Sequence, residues 1–185
     1  MAVKKSRKIF KPLVFIASLI PLGWLVFLLY SDTTLGTKYM TADPVQKLDR
    51  ELGDWALIFI ILSLAVRPLA EILKKSELVA YRRMIGFFAF FYVCLHLSAY
   101  IGLNLQLDLD EFIEDVTKRN FITIGIINVI LLAPLVITST KGMIKRLGNK
   151  RWQKLHMLIY PIALLGVFHF FMMIRADFLR PATYL

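Results

Sequence analysis

The chain has 185 residues, 58% of them apolar and only 19% charged, with a mean hydropathy of +0.64. Soluble domains are about half apolar and about a quarter charged, so the composition excludes an ordinary water-soluble domain and points to an all-α integral membrane protein. The net charge of +10 and isoelectric point near 9.8 are of the kind seen in nucleic-acid binders, but here the basic residues bracket apolar runs, which fits membrane topology and anionic lipid and gives no nucleic-acid partner.

An α-helical span needs ~20 mainly apolar residues, and five segments supply them, at about 11–30, 53–73, 84–104, 120–140 and 155–175. They predict a bundle of about five to six transmembrane helices forming a single domain over residues 1–185. The first span follows a basic start (Lys4, Lys5, Arg7, Lys8, Lys11) like that of a signal peptide. Its apolar run is too long for a signal h-region and has no convincing small-residue cleavage site, so it is expected to stay as an anchor. The third span carries His96, with Phe88, Tyr92 and Tyr100 on or near its stripe at i±4 spacing, and the lone Cys94, which reads as inert packing. The 105–119 connection is acidic (Asp108, Asp110, Glu111, Glu114, Asp115). The fifth span holds His156 and His169, with Pro161 between them and Phe168, Phe170 and Phe171 beside the second.

Charge placement sets the orientation. The N-terminal arm and the connections around 74–83 and 141–154 carry 16 of the 23 Lys and Arg residues, whereas 11 of the 13 acidic residues fall on the alternate segments. The positive-inside rule therefore predicts a cytoplasmic N-terminus and an external C-terminus.

Ionisable residues at membrane depth are expensive and mark function. His96 lies 13 residues beyond Arg83 and His169 15 beyond Lys154, which places them ~20 and ~22 Å above the inner boundary at 1.5 Å per residue. Two imidazoles level in the outer half are suited to gripping a haem iron from both faces, which leaves no open coordination position and makes electron transfer the natural role. The plainer reading is an inter-helix hydrogen bond, worth only ~0.6 kcal/mol on average in membranes. For any single aromatic residue nearby, ordinary packing is the favoured reading.

His156 stands ~3 Å inside the inner edge and has no partner histidine on the third span. Three roles stay open: a second haem with another ligand, a flavin whose phosphate is held by Arg82, Arg83, Lys150 or Arg151, or a hydrogen-bonded interfacial histidine. On one ideal helix His156 and His169 would lie ~140° apart, and Pro161 permits a kink or local unwinding that changes this. A three-histidine zinc or copper site is disfavoured by the ~20 Å drop to His156. No Gly-rich phosphate loop or His-Glu-x-x-His pattern occurs. Two other classes fit the residues, a non-redox polytopic scaffold or assembly factor and a proton-coupled transporter with relay histidines.

Several runs together resemble the ferric-reductase-like transmembrane family. They are Gly53-Asp54-Trp55-Ala56-Leu57, Arg67-Pro68, Arg82-Arg83-Met84-Ile85-Gly86 leading through Ala89, Phe90, Tyr92 and Leu95 to His96 and Tyr100, and Phe121-Ile122-Thr123-Ile124-Gly125. The last is Ser139 leading to Leu147-Gly148 and Arg151-Trp152-Gln153-Lys154-Leu155-His156, with Tyr160 and His169 beyond. The likeness covers nearly the whole chain and is closest to members that serve protein-methionine-sulfoxide reduction. Asn120 departs from it, standing where the family often has proline. The larger members carry a second histidine on the third-helix equivalent and a cytosolic flavin and nicotinamide domain, so here reducing equivalents are expected from elsewhere. The resemblance implies a bacterial inner-membrane electron conduit holding haem b, with FMN as a further cofactor. Electrons would come from the quinol pool or a cytosolic flavin reductase and leave to a periplasmic molybdopterin subunit. That subunit is expected to dock on the outer connections 31–52 and 105–119.

Overall fold

The computed structural model describes residues 2–182, with side-chain surroundings for 10–174. The described chain is helical, and five of its helical stretches are long and apolar enough to cross a membrane: Phe10–Leu35, Pro44–Ile72, Ser76–Asn104, Asn120–Ile137 and Asn149–Ile174. All five predicted spans fall on them. The chain divides into two compact units, residues 1–106 and 107–185, which are taken separately.

The first unit holds α1 (Ala2–Leu35), α2 (Pro44–Ile72), a 3-10 turn (Ser76–Tyr81) and α3 (Arg82–Ala99), which runs on as a π-helical turn over Tyr100–Asn104. The expected outer connection 31–52 is mostly helix. Hydropathy alone put its ends too far apart, because polar residues cap both helices. The Asp32 carboxylate accepts from the Thr37 hydroxyl and from the N–H groups of Tyr39 and Met40, at 2.5, 2.9 and 2.7 Å. Gly36 turns the chain at φ +66°, a conformation free of steric cost only for glycine. Asp43 then caps α2 by accepting from the Gln46 N–H, and Pro44 takes the first helical position, where its missing N–H costs nothing.

α3 is clamped to α1 and α2 by Tyr92, which is completely buried. Pro21 cannot supply the N–H that the carbonyl of Ala17 would take in a regular helix. One residue on, the Tyr92 hydroxyl accepts from the Leu22 N–H at 3.2 Å and donates to the Ser18 carbonyl at 2.8 Å, the two groups an undisturbed helix would join to each other. The Tyr92 ring stacks on Phe59 of α2 with centroids 5.1 Å apart. Phe88, one turn earlier, meets Phe15 of α1 and Phe59 at 5.3 and 5.9 Å. These two aromatics of the His96 stripe are therefore packing between helices.

The second unit begins with α4 (Leu109–Lys118), whose N-cap Asp108 accepts from the N–H groups of Asp110 and Glu111. It is amphipathic: Leu109 and Ile113, four apart, are exposed, and Asp115 is buried in an ion pair with Arg119 at 3.0 Å. The Thr123 hydroxyl donates to the Val116 carbonyl at 2.5 Å, tying α4 to α5 (Asn120–Ile137). Two short helices follow, α6 (Lys141–Leu147) and α7 (Asn149–His156), separated by Gly148 at φ +75° and ψ 153°, a conformation essentially confined to glycine. α8 (Ile159–Ala182) packs on α5.

The fifth expected span is thus broken. α7 ends at His156, residues 157–158 form a turn, and α8 starts at Ile159. Pro161 explains the position of the break. It has no N–H for the Met157 carbonyl, which instead accepts from Tyr160 at 3.1 Å in a tighter turn, and the proline sits in the first turn of the new helix where it is tolerated. The 140° offset expected on one continuous helix therefore does not apply to His156 and His169.

Replacing Tyr92 with Phe keeps the stack and removes only the bridging hydroxyl. We expect a loss of about 1–2 kcal/mol, read as a lower unfolding midpoint in detergent; an unchanged midpoint would show that Leu22 and Ser18 re-pair without it.

Candidate functional site

His96 and His169 are each seated against a neighbouring helix of their own unit, and the two seats have the same construction. In the first unit, His96 Nδ1 lies 2.9 Å from the backbone carbonyl oxygen of Asp49 on α2. In the second, His169 Nδ1 lies 2.6 Å from the carbonyl oxygen of Phe121 on α5. A carbonyl oxygen only accepts, so each ring carries its proton on Nδ1 and directs its lone pair to Nε2.

Four residues after each accepting carbonyl stands a glycine. Added to Gly53, a Cβ would meet Cε1 and Nδ1 of His96 at 3.2 and 3.3 Å, and added to Gly125 it would meet the same atoms of His169 at 3.0 and 3.3 Å. Both imidazoles therefore lie on helix surface from which the side chain has been removed. Both glycines fall in the N-terminal half of their helix, toward the end that the charge distribution assigns to the outer side.

What the residue at the accepting position adds differs between the seats. Asp49 brings a carboxylate whose Oδ1 is also 2.9 Å from His96 Nδ1, although the carbonyl takes the hydrogen bond. Phe121 brings an aromatic ring, 6.3 Å from that of His169 and tilted by 47°.

His156, at the end of α7, has a different setting. Its Nε2 is 3.2 Å from the Thr138 hydroxyl just past α5, and its ring lies over Trp152 with centroids 4.1 Å apart. The Trp152 indole N–H donates to the Thr138 carbonyl at 3.0 Å. Of the three roles left open for this histidine, the hydrogen-bonded one describes its contacts. Of the cations considered for a flavin phosphate, Arg82 is half-buried at the start of α3, whereas Arg83, Lys150 and Arg151 are exposed. Of the aromatics named beside His169, Phe168 and Phe171 are exposed on the apolar surface of α8.

Sequence reasoning singled out the three histidines but not Asp49, Thr138 or the part played by the two glycines, and it named Trp152 only within the family resemblance. Asp49 was hidden because hydropathy started its helix at residue 53. Gly53 and the Phe121–Gly125 run were visible only as elements of the family resemblance. The shared four-residue spacing from acceptor to glycine was on view, but nothing in a single sequence says which histidine faces which helix.

The chain was compared with known proteins. The profile of the family described as "Ferric reductase like transmembrane component" matches residues 52–167, a stretch that includes Gly53, His96, Gly125 and His156 and stops two residues short of His169. A protein named as the heme-binding subunit MsrQ of protein-methionine-sulfoxide reductase, from Rhodospirillum rubrum, is 44% identical over 171 residues, 92% of this chain and 79% of the relative. Proteins of the same name from Caulobacter vibrioides and Herminiimonas arsenicoxydans are each 43% identical, over 93% and 94% of this chain and 79% and 78% of their own length.

Proposed function

The chain belongs to the ferric-reductase-like transmembrane family, alongside the MsrQ heme-binding subunits, and from that premise we propose that it is the haem b membrane subunit of a methionine-sulfoxide repair system. In this reading His96 and His169 are the axial ligands through Nε2. The observation that carries it is the matched pair of Nδ1–carbonyl bonds. Histidines that bind metals characteristically donate the other ring N–H to a carbonyl or carboxylate, which fixes the tautomer and the ring orientation. The donor set suits the group: two neutral imidazoles in an apolar setting stabilise a low-spin haem iron. When bound, the haem supplies one-electron redox chemistry.

The protein's part is to hold both rings still, to keep water from the iron's surroundings, and to present an outer face to the acceptor. We place the N-terminus in the cytoplasm of a bacterial inner membrane, as the charge distribution favours. Electrons then enter from the quinol pool or a cytosolic flavin reductase and leave to a periplasmic, MsrP-like molybdopterin subunit. α4 and its N-cap, with Asp108, Asp110, Glu111 and Glu114, form the acidic part of the docking face. For His156 we assign the hydrogen-bonded structural role its contacts to Thr138 and Trp152 support.

Purified from a haem-replete host, the protein should be red, with a low-spin reduced-minus-oxidised spectrum. His96→Ala and His169→Ala should each abolish that spectrum, and His156→Ala should leave it. A colourless protein that stays so after haem supplementation would favour the scaffold or transporter readings. Flavin quantified in the same sample decides whether Arg82, Arg83, Lys150 or Arg151 holds an FMN phosphate.

Neutralising Asp108, Asp110, Glu111 and Glu114 together to their amides should weaken association with the periplasmic subunit and flatten its salt dependence. Unchanged affinity across a salt series would reject this docking face.

A further inference from the structure

Gly53 and Gly125 stand out because the physical reason for each is the same. In an α-helix the carbonyl of residue i points at the N–H of residue i+4, so the carbonyl of Asp49 points at Gly53 and that of Phe121 at Gly125. Such an oxygen has a second lone pair to offer, but a ring can reach it only by lying across the surface of residue i+4. Any side chain there stands in the way. Both helices have glycine at that one position, and a Cβ on either would fall within 3.2 Å of an imidazole carbon. Glycine inside a helix costs up to about 1 kcal/mol against alanine, so the two seats are kept at some expense. Gly86 and Gly142 have nothing within 4 Å of an added Cβ and show what a helical glycine without this constraint looks like.

We propose that Gly53 and Gly125 are positioning residues for the haem: by lacking a side chain, each lets its histidine reach the main-chain carbonyl four residues upstream. Each thereby sets the ring plane and the direction in which Nε2 meets the iron. The inference rests on the reading that His96 and His169 are the ligands, and it adds that their geometry is written on the facing helices. A bond from Nδ1 to a helix carbonyl leaves the ring little freedom, since the acceptor cannot change rotamer as a side-chain partner can. The closer seat is the second, with the shorter hydrogen bond of 2.6 Å and the tighter Cβ approach of 3.0 Å, so it tolerates a methyl group less.

The test compares Gly53→Ala and Gly125→Ala with the controls Gly86→Ala and Gly142→Ala, all in the full chain loaded with haem in detergent. The seat variants should bind haem about 10–100-fold more weakly, the range for losing the partner behind a metal-bound histidine. They should also change the low-spin EPR envelope and the midpoint potential, with Gly125→Ala the more affected, while the controls leave all three unchanged. Seat variants with wild-type affinity, EPR envelope and potential would overturn the inference while leaving the ligand assignment standing. The assignment itself falls if His96→Ala or His169→Ala keeps the low-spin spectrum, or if the wild-type protein takes up no haem. Should Gly125→Ala not fold, Gly53→Ala carries the comparison alone. The ferric wild-type protein offers a reading that needs no variant: two hyperfine-shifted imidazole N–H protons that exchange slowly with solvent are expected, and rapid exchange at either ring overturns the seat.

Discussion

An imidazole in a membrane interior has no water to satisfy its N–H, and the rest of the arrangement follows from where that hydrogen goes. In hydrocarbon an unsatisfied polar group costs several kcal/mol, yet helical carbonyls are already engaged along their own helix. The solution used twice here is to share one. His96 and His169 each donate to a carbonyl that also belongs to a helix ladder, across a glycine that leaves the approach clear. One contact satisfies the donor, fixes the tautomer and leaves the lone pair on the other nitrogen, the atom that the proposed function assigns to the iron. It also fixes how closely α3 must run beside α2, and α8 beside α5.

Such close seating requires that the helices bearing the histidines not slide or rotate. In the first unit the task falls to Tyr92, one turn before His96, which is bonded into α1 where Pro21 opens the ladder and is stacked on α2. In the second unit it falls to the break at residues 157–158. By ending α7 and restarting as α8, the chain frees the rotational setting of His169 from that of His156. Each histidine then meets its own partner, Phe121 in one case and Thr138 in the other, as a single straight helix would not have allowed. Proline is the cause in both units, once by withholding an N–H that a tyrosine hydroxyl compensates nearby, and once by making a helix start afresh.

How much of this could be read from the sequence depends on the range of the force involved. Apolar runs of membrane length located all five spans, since burial in lipid is a property of consecutive residues. Depth counting picked out the histidines for the same reason. Helix ends were misplaced where polar caps govern them: Asp43-Pro44 starts α2 nine residues before hydropathy does, and Asp108 turns much of an expected acidic loop into α4. Pro161 was recognised as a point of weakness, but whether it bends a helix or begins one depends on the turn before it. The glycine seats were out of reach because they join residues 47 and 48 apart in sequence, 49 with 96 and 121 with 169. A pairing between helices leaves no periodic trace in either. The aromatics of the His96 stripe illustrate the converse: their spacing was legible, but Phe88 and Tyr92 spend their surface on Phe15 and Phe59.

The two seats are alike in backbone and unlike in what surrounds the ring, and for the proposed haem that difference would matter. At the accepting position one helix has Asp49, whose carboxylate stands beside His96, and the other has Phe121, whose ring stands beside His169. Were His96 to hold the haem as proposed, the Asp49 carboxylate behind it would make the imidazole a stronger base and would favour the more positive, oxidised state of the group. An aromatic neighbour adds apolar wall and no charge. Backbone carbonyls therefore supply the orientation common to both rings, and the side chains at the same two positions differ in charge, which under the proposed function would bear on the redox balance. Under the proposed function, positioning and potential would thus fall largely to different parts of the same residue, the carbonyl of position 49 orienting the ring and its carboxylate supplying the charge beside it.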